Sequence, residues 1–194
     1  VEVYDSERDE YPVNVPLSML FGDLPISNMV VSEPTNIQTV DSANYDQNFS
    51  EAISRVLSHP SVASKSFLIT IGDRSVGGLV VRDQLIGRYQ VPTSNYAMST
   101  KSFLSNEGDV LSIGEKPTLA IKNPAASLRM ALAEALTNLV SVPVKNLNLV
   151  RLSANWMAAC GNDKENHALR VGVEALSSMC VKLGIAIPVG KDSL

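Results

Sequence analysis

The sequence has few aromatic residues, only two cysteines and no cluster of basic residues, and each shortage excludes a class of protein. Phe, Trp and Tyr together make up 5% of the 194 residues, so a hydrophobic core must be mainly aliphatic. Cys160 and Cys180 form no C-x-x-C pair and fall far short of the cysteine density of a secreted disulfide scaffold. We therefore expect two reduced thiols that pack as small core residues in a cytoplasmic protein.

Charge and hydropathy exclude two further classes. The formal net charge is -4 and the Lys and Arg residues are scattered, so no basic face can collect a phosphodiester backbone and we expect no nucleic acid partner. No apolar run reaches the roughly eighteen residues of a membrane span, and no charged leader precedes an apolar segment, so we expect no membrane partner. Because the chain begins at Val1 and stops at "VGKDSL", we expect both ends to be cut from something larger.

The first third of the chain predicts a strand, a linker and a short helix. Period-two alternation in residues 1–16 favours a strand that ends at Pro16. Residues 17–50 carry proline, glycine and small polar side chains, which are typical of a loop-rich linker. The segment "NFSEAISRVLSHP" then predicts a short helix with Ser50 as its cap and Pro60 after its end.

The rest of the chain predicts strands first and then two long helices. The segment "SFLITIGDRSVGGLVVRDQLIGRYQVP" has β-branched and apolar runs broken by glycines, which favours strands joined by tight turns. Further strands fit "NYAMSTKSF" and "DVLSIGEKPTLAI". Helices fit residues 124–142 and 164–183, with a strand in "LNLVRLSANWMA" between them and another in "IAIPVGKDSL", which runs into a glycine-bearing loop. This order predicts a mixed α+β domain from about residue 60 onward.

One polar pair lies within the otherwise apolar stretch "ALAEALTNLV". Glu134 and Asn138 are four residues apart, so on a helix both project to the same side. A carboxylate oxygen and an amide oxygen are hard ligands that suit Mg²⁺, which proteins hold through few groups plus phosphate and water. The pair favours a magnesium nucleotide, while the alternative is an ordinary solvated pair or a bond from Asn138 to a neighbouring loop.

Several ordered motifs along the chain resemble one enzyme family. They are "PVNVPLSMLFGDLP", "HPSVASKSFLITIGDRSVGGLVVRDQLIG", "QVPTSNYAMST", "AEALTNLV", "LSANWMAA" and "PVGKDSL". Ordered motifs at the right mutual distances are far more specific than a lone pattern. Through them, nearly the whole chain resembles phosphoribosylformylglycinamidine synthase, also called formylglycinamide ribonucleotide amidotransferase.

The resemblance implies an ATP-dependent ligase of de novo purine biosynthesis. The family converts formylglycinamide ribonucleotide, ATP and glutamine into formylglycinamidine ribonucleotide, ADP, phosphate and glutamate. Its synthetase core has two related halves, and the second half holds a nucleotide and magnesium at an auxiliary site. The implied partners are small-molecule substrates, the other synthetase half and the glutaminase domain, all in the cytoplasm. Without those parts we expect this chain to be inactive alone.

The same resemblance implies a fold and a division into domains. Residues 1–25 correspond to the end of a preceding synthetase-type C-terminal domain, and residues 26–58 to a linker with a short helix. Residues 59–194 correspond to the second aminoimidazole ribonucleotide synthetase-like N-terminal domain, which we expect to be truncated at its C-terminal end. That domain implies a mixed β-sheet with helices on one face.

The resemblance also implies roles for individual residues, at the positions that match the motifs of the family. Glu134 and Asn138 match the metal-ligating carboxylate and amide of the family, and Lys65 of "ASK" matches a lysine near the nucleotide phosphates. Ser94 and Asn95 of "PTSNYA" match a nucleotide contact and a further metal ligand. The family often has Asp at the last position, so Asn95 replaces a charged oxygen by a neutral one and should weaken Mg²⁺ binding. The resemblance identifies no catalytic residue.

Two glycine-bearing segments raise the question of phosphate binding. In "GDRSVGGL" the spacing is not that of a P-loop, and we favour a turn between two strands across which Asp73 and Arg74 pair. In "VGKDS" we favour Lys191 facing an anion, with Asp192 and Ser193 capping a following helix. Neither histidine has Ser or Cys partners at a recognisable spacing, so we expect no imidazole catalysis.

Two other functions remain open. In the first, the segment is a structural or nucleotide-holding half that only braces the catalytic half, which the neutral Asn95 favours. In the second, the chain is another ATP-using member of the wider superfamily, such as a small-molecule kinase. A glutaminase domain in the parent reading frame separates the ligase from the kinase.

Overall fold

The computed structural model describes residues 1–23, 31–33 and 48–193, and the chain divides into two compact units, Val1–Val30 and Val31–Leu194. Most of the predicted linker lies outside the described residues. The strands are β1 (Glu2–Asp5), β2 (Glu10–Asn14), β3 (Val80–Arg82), β4 (Tyr96–Thr100), β5 (Gly108–Ser112), β6 (Arg151–Met157) and β7 (Ala186–Ser193). The helices are α1 (Leu17–Phe21), α2 (Phe49–Ser58), α3 (Ser66–Thr70), α4 (Pro117–Ala120), α5 (Pro124–Leu139) and α6 (Asp163–Leu183), with a 3₁₀ turn at Leu147–Leu149.

The first unit is built on an antiparallel hairpin of β1 and β2. The rings of Tyr4 and Tyr11 lie 5.1 Å apart across the hairpin, and the Tyr4 hydroxyl donates to Asp9 at 2.7 Å. That bond raises the pKa of Tyr4 above its usual value. The predicted strand before Pro16 is confirmed. The prediction of loop from residue 17 onward is wrong over α1, because Pro16, with its φ of -67°, starts a helical turn in which the Met19 amide donates to the Pro16 carbonyl.

Of two short helices, one was predicted from the sequence and the other was predicted as a strand. Helix α2 is confirmed, but Asn48 rather than Ser50 caps it, since its side chain accepts from the Ser50 amide at 3.1 Å. The strand predicted at "SFLIT" is wrong, because Ser66–Thr70 forms helix α3. The Ile71 amide donates to the Phe67 carbonyl at 3.0 Å and the Thr70 hydroxyl donates to the Ser66 carbonyl at 3.0 Å, so polar groups of this turn are paired locally despite its β-branched residues.

The second unit contains an antiparallel sheet in the order β3-β4-β5 and a parallel pair, β6 and β7. Within the described ranges these strands and the β1–β2 hairpin form separate small sheets, so one continuous mixed sheet is not confirmed. The α+β class is confirmed. Strand β7 follows β6 through α6, and its pairing extends as far as Met157 with Ser193. The predicted loop at Gly190 and the predicted helix cap at Asp192 are therefore wrong, because this segment is strand.

Helices α5 and α6 pack together against β6 and β7 to form the main core. Both helices confirm their predictions; Asn162 caps α6 at its start, and Gly184 ends it in the left-handed conformation at φ 67°. Leu132, Leu176 and Cys180 are the buried centre of this core. The side chains packed around them are Leu128, Leu136, Leu152, Trp156, Met179, Leu183 and Ile187.

Both cysteines are free, and they lie in different environments. Cys180 is buried on α6, and burial raises the pKa of its thiol, which confirms it as a core residue. Cys160 is only partly buried. Among the described helices, none is long and apolar enough to cross a membrane.

Candidate functional site

Glu134 lies in the middle of α5, a helix whose N-terminus has two strong start signals in the sequence. Asn123 accepts from the Ala126 amide at 2.9 Å, and Pro124 occupies the first helical position. The Oε2 atom of Glu134 lies 3.0 Å from Nζ of Lys116, and both side chains are about 40% exposed. The predicted metal-ligating carboxylate is therefore at a half-exposed position and is paired with a lysine.

Asn138 is turned in the same direction, one helical turn further along α5. Its Nδ2 donates to the Ile113 carbonyl at 3.0 Å. An amide that donates through nitrogen leaves its Oδ1 as the acceptor, so the oxygen required of a metal ligand is available. The bond also fulfils the alternative foreseen for this residue, a contact with a neighbouring chain segment.

A short connection runs along α5 and carries both of these contacts. We refer to residues 113–116, between β5 and α4, as the β5–α4 link. Before it, the Ser112 hydroxyl donates to the Ala135 carbonyl at 2.8 Å. At its end, the Ser127 hydroxyl donates to the Lys116 carbonyl at 2.6 Å. The link is thus held at both ends, beside the face that bears Glu134 and Asn138.

Ser94 and Asn95 immediately precede β4, and the strand register leads from them to the same region. In the antiparallel ladder Tyr96 is the partner of Ser112, so the residue before Tyr96 lies at the end of the sheet where the β5–α4 link begins. The Ser94 hydroxyl donates to the Tyr96 carbonyl at 2.6 Å, which fixes the entry to the strand. The topology therefore brings Ser94 and Asn95 toward the part of α5 that holds Glu134 and Asn138.

In the part of the chain that the structure describes, Lys65 and Lys191 have only local polar contacts. Nζ of Lys65, which lies just before α3, donates to the Ala63 carbonyl at 3.2 Å. Nζ of Lys191 donates to Ser193 at 3.2 Å along β7, where Lys191 is the strand partner of Asn155. Among the described hydrogen bonds and ion pairs, none joins either lysine to α5.

The chemistry of the donor set fits a hard divalent cation. Within the described ranges, no group of three or more His, Cys, Asp or Glu side chains is placed to hold a metal ion. A cation here would thus rest on one carboxylate, Glu134, and on the amide oxygens of Asn138 and Asn95. Few protein ligands completed by phosphate and water are the arrangement that Mg²⁺ commonly takes.

Sequence reasoning missed two cationic residues beside these positions. Lys116 pairs with Glu134 across 18 residues of sequence. The Arg82 guanidinium donates to the Ser94 hydroxyl at 3.4 Å and lies 5.3 Å from the centre of the Tyr96 ring. No local spacing rule connects residues this far apart. The strand predicted in "DVLSIGEKPTLAI" is wrong over Pro117–Ala120, which is helix α4, and Pro117 directly after Lys116 is the signal that could have marked its start.

The "GDRSVGGL" segment is structural, but not in the predicted way. Arg74 donates to Asp83 at 2.7 Å and to Gln90 at 3.0 Å, so its pairing with Asp73 is wrong. Gly77 and Gly78 have φ of 86° and 73°, which the turn before β3 requires. The contacts of Arg74 and the conformations of the two glycines stabilise this segment as a turn.

Comparison with known families gives one assignment. A family model described as the FGAR-AT PurM_N-like domain matches residues 64–194, which is more than half of the chain. The match contains every candidate site residue named above. FGAR-AT denotes formylglycinamide ribonucleotide amidotransferase, an amidotransferase of the ligase type in purine biosynthesis. The chain therefore belongs to the formylglycinamide ribonucleotide amidotransferase family, in which it is a segment of phosphoribosylformylglycinamidine synthase bearing the PurM_N-like domain.

Proposed function

We propose that this chain holds a magnesium nucleotide, ATP or ADP, within the synthetase core of the ligase that makes formylglycinamidine ribonucleotide from formylglycinamide ribonucleotide, glutamine and ATP. The observation that carries the proposal is the meeting of three segments: the start of β4, the β5–α4 link and the middle of α5. The register of Tyr96 with Ser112 and the bond from Asn138 to Ile113 define this meeting. The start of β4 and the middle of α5 both offer side-chain oxygen atoms, and two such segments suit a hard cation better than one helix alone.

We assign a role to each of the candidate site residues. Glu134, Asn138 and Asn95 hold the cation, and Ser94 contacts the nucleotide. Lys65 takes a phosphate-facing role that rests on the resemblance, and Lys191 takes one that rests on its place in "VGKDS", since the described contacts of both are local. A bound magnesium ion supplies charge neutralisation for the phosphates, while the protein contributes position and a fixed set of dipoles.

The proposal extends to the partners of the chain. The other synthetase half and the glutaminase domain supply the remaining substrate cleft and the ammonia, so this chain alone is expected to show no ligase turnover. We assign residues 59–194 to the nucleotide-holding domain, residues 26–58 to a linker and residues 1–25 to the preceding domain. The place of action is the cytoplasm.

A thermal unfolding experiment tests whether a magnesium nucleotide binds. A ligand that binds only the folded state raises the melting temperature, by about 5 °C or more when its concentration is roughly 100 times its Kd. We expect this rise with MgADP and not with ADP in excess EDTA. An unchanged melting temperature across millimolar MgADP would contradict the proposal.

One observation favours a second function, that of a brace. Glu134 and Asn138 both bind the β5–α4 link, at 3.0 Å each, and thereby tie α5 to the end of the antiparallel sheet. A purely bracing role predicts that Glu134→Ala lowers stability together with any activity of the complete enzyme. A ligand-holding role predicts lost activity with stability kept, because an ion pair about 40% exposed contributes little net stability.

A further inference from the structure

Lys116 combines a fixed main chain with a movable charged side chain. Its carbonyl accepts from the Ser127 hydroxyl at 2.6 Å, and Ser127 is only 3% exposed, so this anchor is buried. The same carbonyl accepts from the Leu119 amide at 3.2 Å in the first turn of α4. The side chain leaves this anchor and extends to Glu134, and it is 42% exposed. The backbone position of Lys116 therefore does not depend on its ion pair.

The ion pair places a positive charge where a cation would bind. Nζ of Lys116 contacts Oε2 of Glu134 at 3.0 Å, so the ammonium already satisfies one oxygen of the proposed metal ligand. Bare Mg²⁺ competes with this ammonium for the carboxylate and is also repelled by it. Half-exposed pairs of this kind contribute little net free energy, so the displacement itself is feasible.

The electrostatics differ when the cation enters together with phosphate, because the negative phosphate can bind the ammonium of Lys116. The lysine side chain has four methylene groups and three donors, so an ammonium released from Glu134 can turn to a phosphate oxygen without movement of its anchored backbone. Lys116 also lines a cleft of about 420 Å³ that is bounded by α4, the first half of α5, β6 and α6 and does not include Glu134, so its side chain has open space on that side of the β5–α4 link. The ammonium displaced from Glu134 therefore gains a new partner only when an anion accompanies the metal.

We propose that Lys116 makes this site selective for a metal-nucleotide complex over the free metal ion, by occupying Glu134 when the site lacks metal and by binding the nucleotide phosphates when the complex enters. This proposal rests on the proposed function and adds a residue and a selectivity to it. Lys116 is a positioning residue for Glu134 and a ligand for phosphate.

Two titrations of Lys116→Met test the selectivity. Mn²⁺ alone, followed by the electron paramagnetic resonance signal of the free ion, should bind up to about fivefold more tightly to the variant, because a competing pair of this exposure corresponds to no more than that. ADP in saturating Mg²⁺ should bind about fivefold or more weakly, because one charge-assisted contact to phosphate is lost. Lys116→Arg keeps the charge, and both affinities should stay within about twofold of the unmodified protein.

The outcomes separate this inference from the proposed function. If the unmodified protein binds no MgADP, the proposed function fails and the inference with it. If the unmodified protein binds MgADP while Lys116→Met changes neither affinity, or lowers both, the inference is overturned and the function stands. A Lys116→Met protein that lacks the far-ultraviolet circular dichroism of the unmodified protein also overturns it, since Lys116 would then be structural. Opposite changes in the two affinities support it.

Discussion

Replacing Gly114 by alanine is expected to lower the free energy of unfolding by about 3 kcal/mol or more, at the upper end of the range for overpacked sites. A Cβ atom built on Gly114 would lie 2.0 Å from the Ala131 carbonyl oxygen and 2.5 Å from the Ala135 amide nitrogen. Both are backbone atoms of α5, so no side chain can rotate away. The β5–α4 link and the helix would have to move apart, which also disturbs the bonds that place Glu134 and Asn138.

Urea denaturation followed by circular dichroism measures this effect, and Gly72→Ala is the matched control. Among the described residues, none beyond the two chain neighbours of Gly72 has a heavy atom within 4 Å of a Cβ built there, and Gly72 has no positive φ, so its substitution should change stability by no more than about 1 kcal/mol. Equal stability of the Gly114 and Gly72 variants would mean that the link does not lie against α5 as described.

Replacing Glu134 by glutamine is expected to weaken MgADP binding by roughly 100-fold while leaving stability nearly unchanged. The substitution keeps the shape of the side chain and removes its charge. A unit charge near a divalent cation at 4 Å is worth several kcal/mol even at an effective dielectric constant of about 20, and competition from Lys116 and water reduces this to roughly 100-fold in affinity. The small effect on stability follows from the exposure of the Lys116 pair.

Fluorescence anisotropy of a labelled ADP measures this loss, with Glu174→Gln as the control. Glu174 is also a helical glutamate in an ion pair, with Arg170 at 2.9 Å, but it lies on the exposed surface of α6. Its substitution should leave nucleotide affinity unchanged. Similar affinity losses in both variants would point to a general charge effect and count against a specific role for Glu134.

The long helices were predictable from the sequence because their signals are local and agree with one another. Helix α6 has an apolar stripe, a side-chain cap at Asn162 and a stop at Gly184, all within 23 residues of sequence. Helix α3 was not predictable, because an apolar run as short as "SFLIT" suits either a strand or a helical turn. The extension of β7 to Ser193 depends on pairing with β6, and a local sequence pattern does not determine which strands pair.

The candidate site was predictable only in its helical part. The spacing of Glu134 and Asn138 fixes their common direction once a helix is assumed, and the helix is confirmed. Their partners lie 18 and 25 residues away, in a segment whose path depends on tertiary packing. For that reason Lys116 and Arg82 could not be predicted. Lys65 was proposed from the family resemblance and still rests on it, whereas Lys191 was proposed from a glycine-bearing loop that is strand β7 in the structure.

The central claim is that the start of β4, the β5–α4 link and the middle of α5 surround one cation that carries a nucleotide. Nuclear magnetic resonance of the labelled protein with ADP and substoichiometric Mn²⁺ tests it most directly, because the paramagnetic ion broadens the amide signals nearest to it. We predict that the strongest broadening falls together on Asn95, Gly114, Glu134 and Asn138. Broadening that spares Glu134 and Asn138, or that centres on another part of the chain, would contradict the claim.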